Sequence, residues 1–158
     1  MRFPRAIRLD ESDRHVYDKP AMPGEWAVPG SFVFLHEDAT TLDGKRREAF
    51  RHGFLGTDSL GWATLVVVDE ISDAEYQVLI ERLAALILQH YGAPDRTAAF
   101  MAAREEADFA ASLCNHELHT LLALERTVEG ESIVESFRVV RLPDAAHHDA
   151  MKLWTVDD

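Results

Sequence analysis

Residues 61–92 read GWATLVVVDEISDAEYQVLIERLAALILQHYG, and this stretch decides the fold class. Its first part, Gly61 to Val68, is a near-continuous apolar run rich in β-branched residues, which predicts a central strand buried on both faces. Ser72-Asp73-Ala74-Glu75 then sets a glutamate three places after a serine, so that each side chain can bond the other's backbone amide at the start of a helix. The apolar residues that follow, Tyr76, Leu79, Ile80, Leu83, Ile87 and Tyr91, recur at helical spacing and define one face. Val78, Leu86 and Leu88 widen that stripe. Gly92 ends the helix and Pro94 prevents its continuation.

Asp95 can cap a second helix that runs to about Leu113. Its predicted inner face is Ala99, Phe100, Ala103, Ala107, Ala110 and Leu113, and the small alanines would let it approach its neighbour closely. Arg104, Glu105, Glu106 and Asp108 fall on the solvent side of the same wheel. Beyond it, 118–126 and 132–141 are extended in pattern, and Val128-Glu129-Gly130-Glu131 signals a turn between them, so a β-hairpin is predicted. Two face assignments compete in its second arm, Ile133, Phe137 and Val139 against Val134 and Val140, and a bulge would reconcile them. The tail 143–158 carries Met151, Leu153 and Trp154, an apolar set suited to docking on the domain.

Upstream, residues 3–9 alternate weakly, and Pro4, which has no amide hydrogen to give, confines them to an edge strand. His15-Val16-Tyr17, Trp26-Ala27-Val28 and Ser31-Phe32-Val33-Phe34-Leu35 also read as strand segments, set among Pro20, Pro23, Gly24, Pro29 and Gly30. Asp43 can cap a short helix that stops at Gly53. The expected architecture is α+β: an antiparallel sheet with two adjacent helices packed on one face, in the order strands, helix, helix, β-hairpin, as one domain over 1–158.

The 158 residues suffice for one domain. A chain this long can bury about 68–70% of its unfolded surface and needs no metal or disulfide staple. Twenty-eight acidic against sixteen basic residues give a net charge of −12. Such a surface repels phosphate backbones and anionic headgroups, so neither nucleic acid nor membrane is an expected partner. The single cysteine, Cys114, excludes an internal disulfide and suits a reducing, cytoplasmic setting. No apolar run approaches the roughly 20 residues that span a bilayer.

Three groupings could carry chemistry. Cys114, His116 and His119 offer thiolate and imidazole donors within six residues, the ligand types zinc prefers, but their spacing matches no zinc signature. The plainer reading is a buried cysteine near a helix end. As a nucleophile Cys114 is disfavoured, because an acidic helix and its C-terminal dipole both oppose a thiolate. Lys45, Arg46, Arg47 and Arg51 form the only concentrated basic stretch, a candidate anion- or partner-binding site if a helix starts at Asp43, with a solvated helix face as the alternative. Carboxylates at strand ends, Asp69 and Glu70 or Glu37 and Asp38, can act as acids or bases, and they also mark where strands reach water. No phosphate loop, dinucleotide fingerprint or nucleophile elbow is present, so no cofactor and no catalytic residue is assigned.

The segments Pro23-Gly24-Glu25-Trp26-Ala27-Val28, Phe50-Arg51-His52-Gly53-Phe54-Leu55-Gly56, Gly61-Trp62-Ala63-Thr64-Leu65-Val66 and Ala110-Ala111-Ser112-Leu113-Cys114 resemble a small family of uncharacterised proteobacterial proteins, a domain of unknown function. The resemblance spans nearly the whole chain. It implies a bacterial, cytoplasmic, stand-alone domain and supplies no activity or site residues. The expectation is a non-catalytic binding or accessory protein with a protein partner, in a form compatible with a homodimer. The alternative is a small metal-binding protein or enzyme using Cys114–His119.

Overall fold

The computed structural model describes residues 1–141; the expected docking of Met151, Leu153 and Trp154 lies outside them. The chain is α+β with antiparallel sheets. It runs β1 (Arg2–Ile7), α1 (Asp13–Val16), β2 (Ala27–Val28), 3₁₀ turns at Ser31–Phe34 and Ala39–Thr41, α2 (Gly44–His52), β3 (Phe54–Gly56), β4 (Trp62–Ala63), β5 (Leu65–Glu70), α3 (Asp73–His90), α4 (Arg96–Ser112), β6 (Leu121–Glu129) and β7 (Ser132–Val140). Four strands form one sheet in the order β1-β5-β6-β7, and β2, β3 and β4 form a second. Pro4 sits on β1, at the sheet edge, opposite Val68.

Helices α3 and α4 form as their sequence demands. The Glu75 amide donates to Ser72 Oγ, and the Ser72 amide donates to the Glu75 carboxylate, which closes the capping box. Tyr76, Leu79, Ile80, Leu83 and Ile87 are buried, as are Ala99, Ala103, Ala107 and Ala110 of α4. The alanine seam lets α3 and α4 pack side by side, and α4 also lies against β1 and β2. Phe100, expected inside, stands 37% exposed. The sheet face bearing Val66, Val68, Leu122 and Leu124 joins Ala27, Phe54, Ala63 and Cys114 in one core cluster.

Four local expectations are corrected. The run 61–68 is not one strand: β4 pairs with β3, and β5 lies between β1 and β6. The break is at Thr64, whose hydroxyl and amide both donate to the Asp13 carboxylate, at 3.0 and 3.4 Å. His15-Val16-Tyr17 is not a strand, because Asp13–Val16 winds into α1 and delivers that carboxylate. Ser31–Phe34 is a 3₁₀ turn. Gly30 has φ +83°, and a Cβ there would meet Leu55 Cβ at 2.6 Å, so the chain must reverse at this point whatever the β propensity that follows. The reversal drives Phe34 against Phe50 and Trp62, with ring centroids 5.2 and 5.3 Å away. Finally, the hairpin needs no bulge. Its ladder is unbroken from Leu121↔Val140 to Glu129↔Ser132, and Gly130, with φ +62°, makes the turn.

Candidate functional site

Unbroken register settles the faces of the hairpin. Leu122, Leu124, Arg126 and Val128 alternate along β6, and Ile133, Glu135, Phe137 and Val139 alternate along β7, so an arginine and a glutamate sit at core-facing positions directly opposite one another. Arg126 is fully buried at 0% exposure. Its Nε donates to Glu135 Oε2 at 2.7 Å. One terminal nitrogen donates to the carbonyls of Phe50 and Gly53, both at 2.9 Å, and more weakly to Ala49. The other donates to the Pro29 carbonyl. The guanidinium therefore caps the C-terminal carbonyls of α2, where a cation is electrostatically favoured.

Glu106 completes the arrangement from α4. It was expected on the solvent side, yet its Oε2 accepts from the Gly30 amide at 2.8 Å. The Pro29 carbonyl and the Gly30 amide belong to one peptide group, which Arg126 and Glu106 thus hold at both ends. Burial raises the Glu106 carboxyl above its ordinary range, against the hydrogen bond from Gly30. The nearby charge of Glu135 adds to the rise, and Arg126 opposes it. Its second oxygen accepts from no group among the described residues.

Glu106 also lines a cleft of about 490 Å³ between the 31–34 turn and the junction of α3 with α4. Phe32, Leu35, Tyr91, Ala98, Ala102 and Phe109 make its apolar walls, and Glu105 is its other carboxylate. Phe32 and Tyr91 meet edge to face at 5.3 Å. Leu35 is 66% exposed and Phe109 41%, so the cleft is rimmed by uncovered apolar side chains.

A cavity of similar size, about 480 Å³, is lined by Leu9, Asp10, Ser12, Asp13 and Thr64. Its polar groups are already engaged: Asp13 accepts from Thr64, Thr64 Oγ1 lies 2.7 Å from the Tyr17 hydroxyl, and Asp10 accepts from the Ser12 amide. Burial raises both Asp13 and Tyr17 above their ordinary ranges. This network ties α1 to the β4–β5 break. Glu25 does the same for the turn after β3, accepting from the amides of Met22, Asp58 and Ser59 and from the Ser59 hydroxyl.

A family of unknown function (DUF6505) matches residues 1–154. The chain belongs to it. The match runs through all four segments on which the resemblance was drawn. Comparisons with curated proteins and with solved structures give no match.

In this DUF6505 chain the residues singled out by sequence lie apart from the cleft. Lys45, Arg46, Arg47 and Arg51 all ride on α2. Arg46 is engaged: its Nε donates to Glu37 at 3.2 Å and its guanidinium lies 4.5 Å from the centre of the Phe34 ring. Lys45 and Arg47 are exposed and Arg51 is half-buried. Asp43 precedes α2 without a side-chain cap. Cys114 is buried in the sheet-facing core, and burial pushes its thiol up to about 12. His116 and His119 stand exposed in the loop after α4, with His119 at φ +72°. Among the described residues no three His, Cys, Asp or Glu side chains form a group that could hold a metal ion.

Arg126, Glu135 and Glu106 were missed by sequence reasoning. For the first two a signal existed: charged residues at inward places in two alternating arms that one turn brings into register. Glu106 offered none, because its partner is a backbone amide 76 residues away.

Proposed function

We propose that this DUF6505 chain is a non-catalytic binding protein and that its ligand sits in the cleft beside Glu106. The observation that carries this reading is the joining of apolar walls to one half-buried carboxyl with a free oxygen. Sites for small ligands combine a mostly apolar lining with a few placed polar groups and titratable side chains moved from their ordinary range. The polar side chains of the described lining are two carboxylates and the Tyr91 phenol, with no histidine, serine, cysteine or lysine beside them.

Filling the cleft tests the reading. Ala98 is half-buried on its wall, so Ala98→Trp occupies the space without entering the α3–α4 seam. A set of small aromatic and aliphatic compounds is screened by saturation-transfer NMR against the wild type and this variant. Compounds that bind the wild type and are lost on filling support the site. Binding that is the same in both proteins, or no binding at all, overturns it.

A further inference from the structure

We propose that the cleft selects a small organic cation, an ammonium group carried on an apolar body. This rests on the cleft being the ligand site and adds the chemistry of what enters it. Four observations converge. The volume, about 490 Å³, is that of a small-molecule site. Every charged side chain of its described lining is acidic, Glu105 and Glu106, within a chain of net charge −12, so an anionic ligand is repelled at both short and long range.

The third observation is the state of Glu106. Gly30 occupies one oxygen, and the other has no donor among the described residues. Arg126, whose charge acts on Glu106, makes its hydrogen bonds elsewhere, to Glu135 and to backbone carbonyls. That free oxygen belongs to a half-buried side chain in the cleft wall, and a charged donor arriving in the cleft can meet it with a charge-assisted hydrogen bond. The fourth is the aromatic pair Phe32 and Tyr91 in the same wall. Aromatic rings attract ammonium groups as well as apolar surface, so head and body of one ligand are both accommodated.

The test uses three probes of nearly equal shape: 2-phenylethylammonium, 2-phenylethanol and 3-phenylpropanoate. Each is titrated into the chain at neutral pH, and the amide shifts of Gly92, Ala98 and Ala102 are followed by NMR. The ammonium is expected to bind at least about fivefold tighter than the alcohol, and the carboxylate more weakly than either. Glu106→Gln keeps an acceptor for the Gly30 amide and removes the charge, so it should bring the ammonium to the level of the alcohol. Equal binding of ammonium and alcohol to the wild type, or ammonium binding unchanged in E106Q, overturns the cation inference while the cleft remains a ligand site. If none of the probes moves the cleft amides, both readings fall together.

Discussion

Arg126 shows how one side chain can decide the stability of a neighbourhood. Arg126→Met removes a guanidinium that no solvent reaches and leaves Glu135, only 13% exposed, without its counter-charge. Breaking a buried pair from one side costs about 3–5 kcal/mol. Urea unfolding is expected to show a loss of that size with an unchanged slope, and a loss below about 1 kcal/mol, the net worth of one ordinary hydrogen bond, would mean that the carbonyls find other donors. Glu106 makes a prediction of a different kind. Its carboxyl is raised above its ordinary value of 4.5, so between that value and the higher folded one the folded chain holds a proton that the unfolded chain has released. Stability contributed by this group is therefore full below the unfolded value and declines as pH rises through the folded one. Glu106→Gln cannot titrate, so the stability difference, wild type minus E106Q, should shrink as pH rises across that window. A difference that stays constant in urea melts at stepped pH would remove the assigned titration. Arg126 and Glu135 left a trace in the alternation of the two arms that the competing face assignments hid until the register was known, whereas Glu106 was placed on the outer side because a helical wheel records only what lies along its own helix.

Among the elements, α3 is the most completely specified by its sequence. Leu83 is 1% exposed at the middle of its buried stripe, and Leu83→Ala should cost about 2–5 kcal/mol. A loss under 0.5 kcal/mol, the usual size for a surface site, would show that this face is not the core. The capping box, the alanine seam of α4, the edge position of β1 and the hairpin were equally legible, since each depends on neighbours within a few residues or on strict periodicity. The strand segments around residues 15–17, 31–35 and 61–68 were not. Local composition favoured extension there, and distant partners overrode it: Asp13 takes the amide of Thr64, and Leu55 leaves Gly30 no room for a side chain. The cleft was illegible for the same reason, because its walls come from the 31–34 turn, α3 and α4, and no single periodicity runs through all three.

For the molecule as a whole, the clamp on the Pro29–Gly30 peptide joins the small sheet, α2, α4 and the hairpin. That linkage predicts one cooperative unfolding transition. In a Trp154→Phe variant the fluorescence of Trp26 and Trp62 follows the first half of the chain, while circular dichroism is dominated by α3 and α4. Coincident curves are expected, and separated midpoints would reveal two independently melting units. The same peptide has a consequence in time. Arg126 and Glu135 are only 9 residues apart, so the hairpin can assemble with its charges already neutralised; Pro29 lies 97 residues from Arg126, and Gly30 lies 76 from Glu106. Closing such long loops costs more entropy than closing the hairpin, so the ion pair should precede the peptide it clamps, and we place the clamp late, after the barrier. Contacts made after the rate-limiting barrier govern how fast a protein comes apart and hardly affect how fast it forms. In stopped-flow experiments Glu106→Ala should accordingly steepen the loss of the native state while refolding proceeds at nearly the wild-type rate, which makes the clamp a latch on the native lifetime; slowed refolding with unfolding unchanged would place it in the nucleus instead.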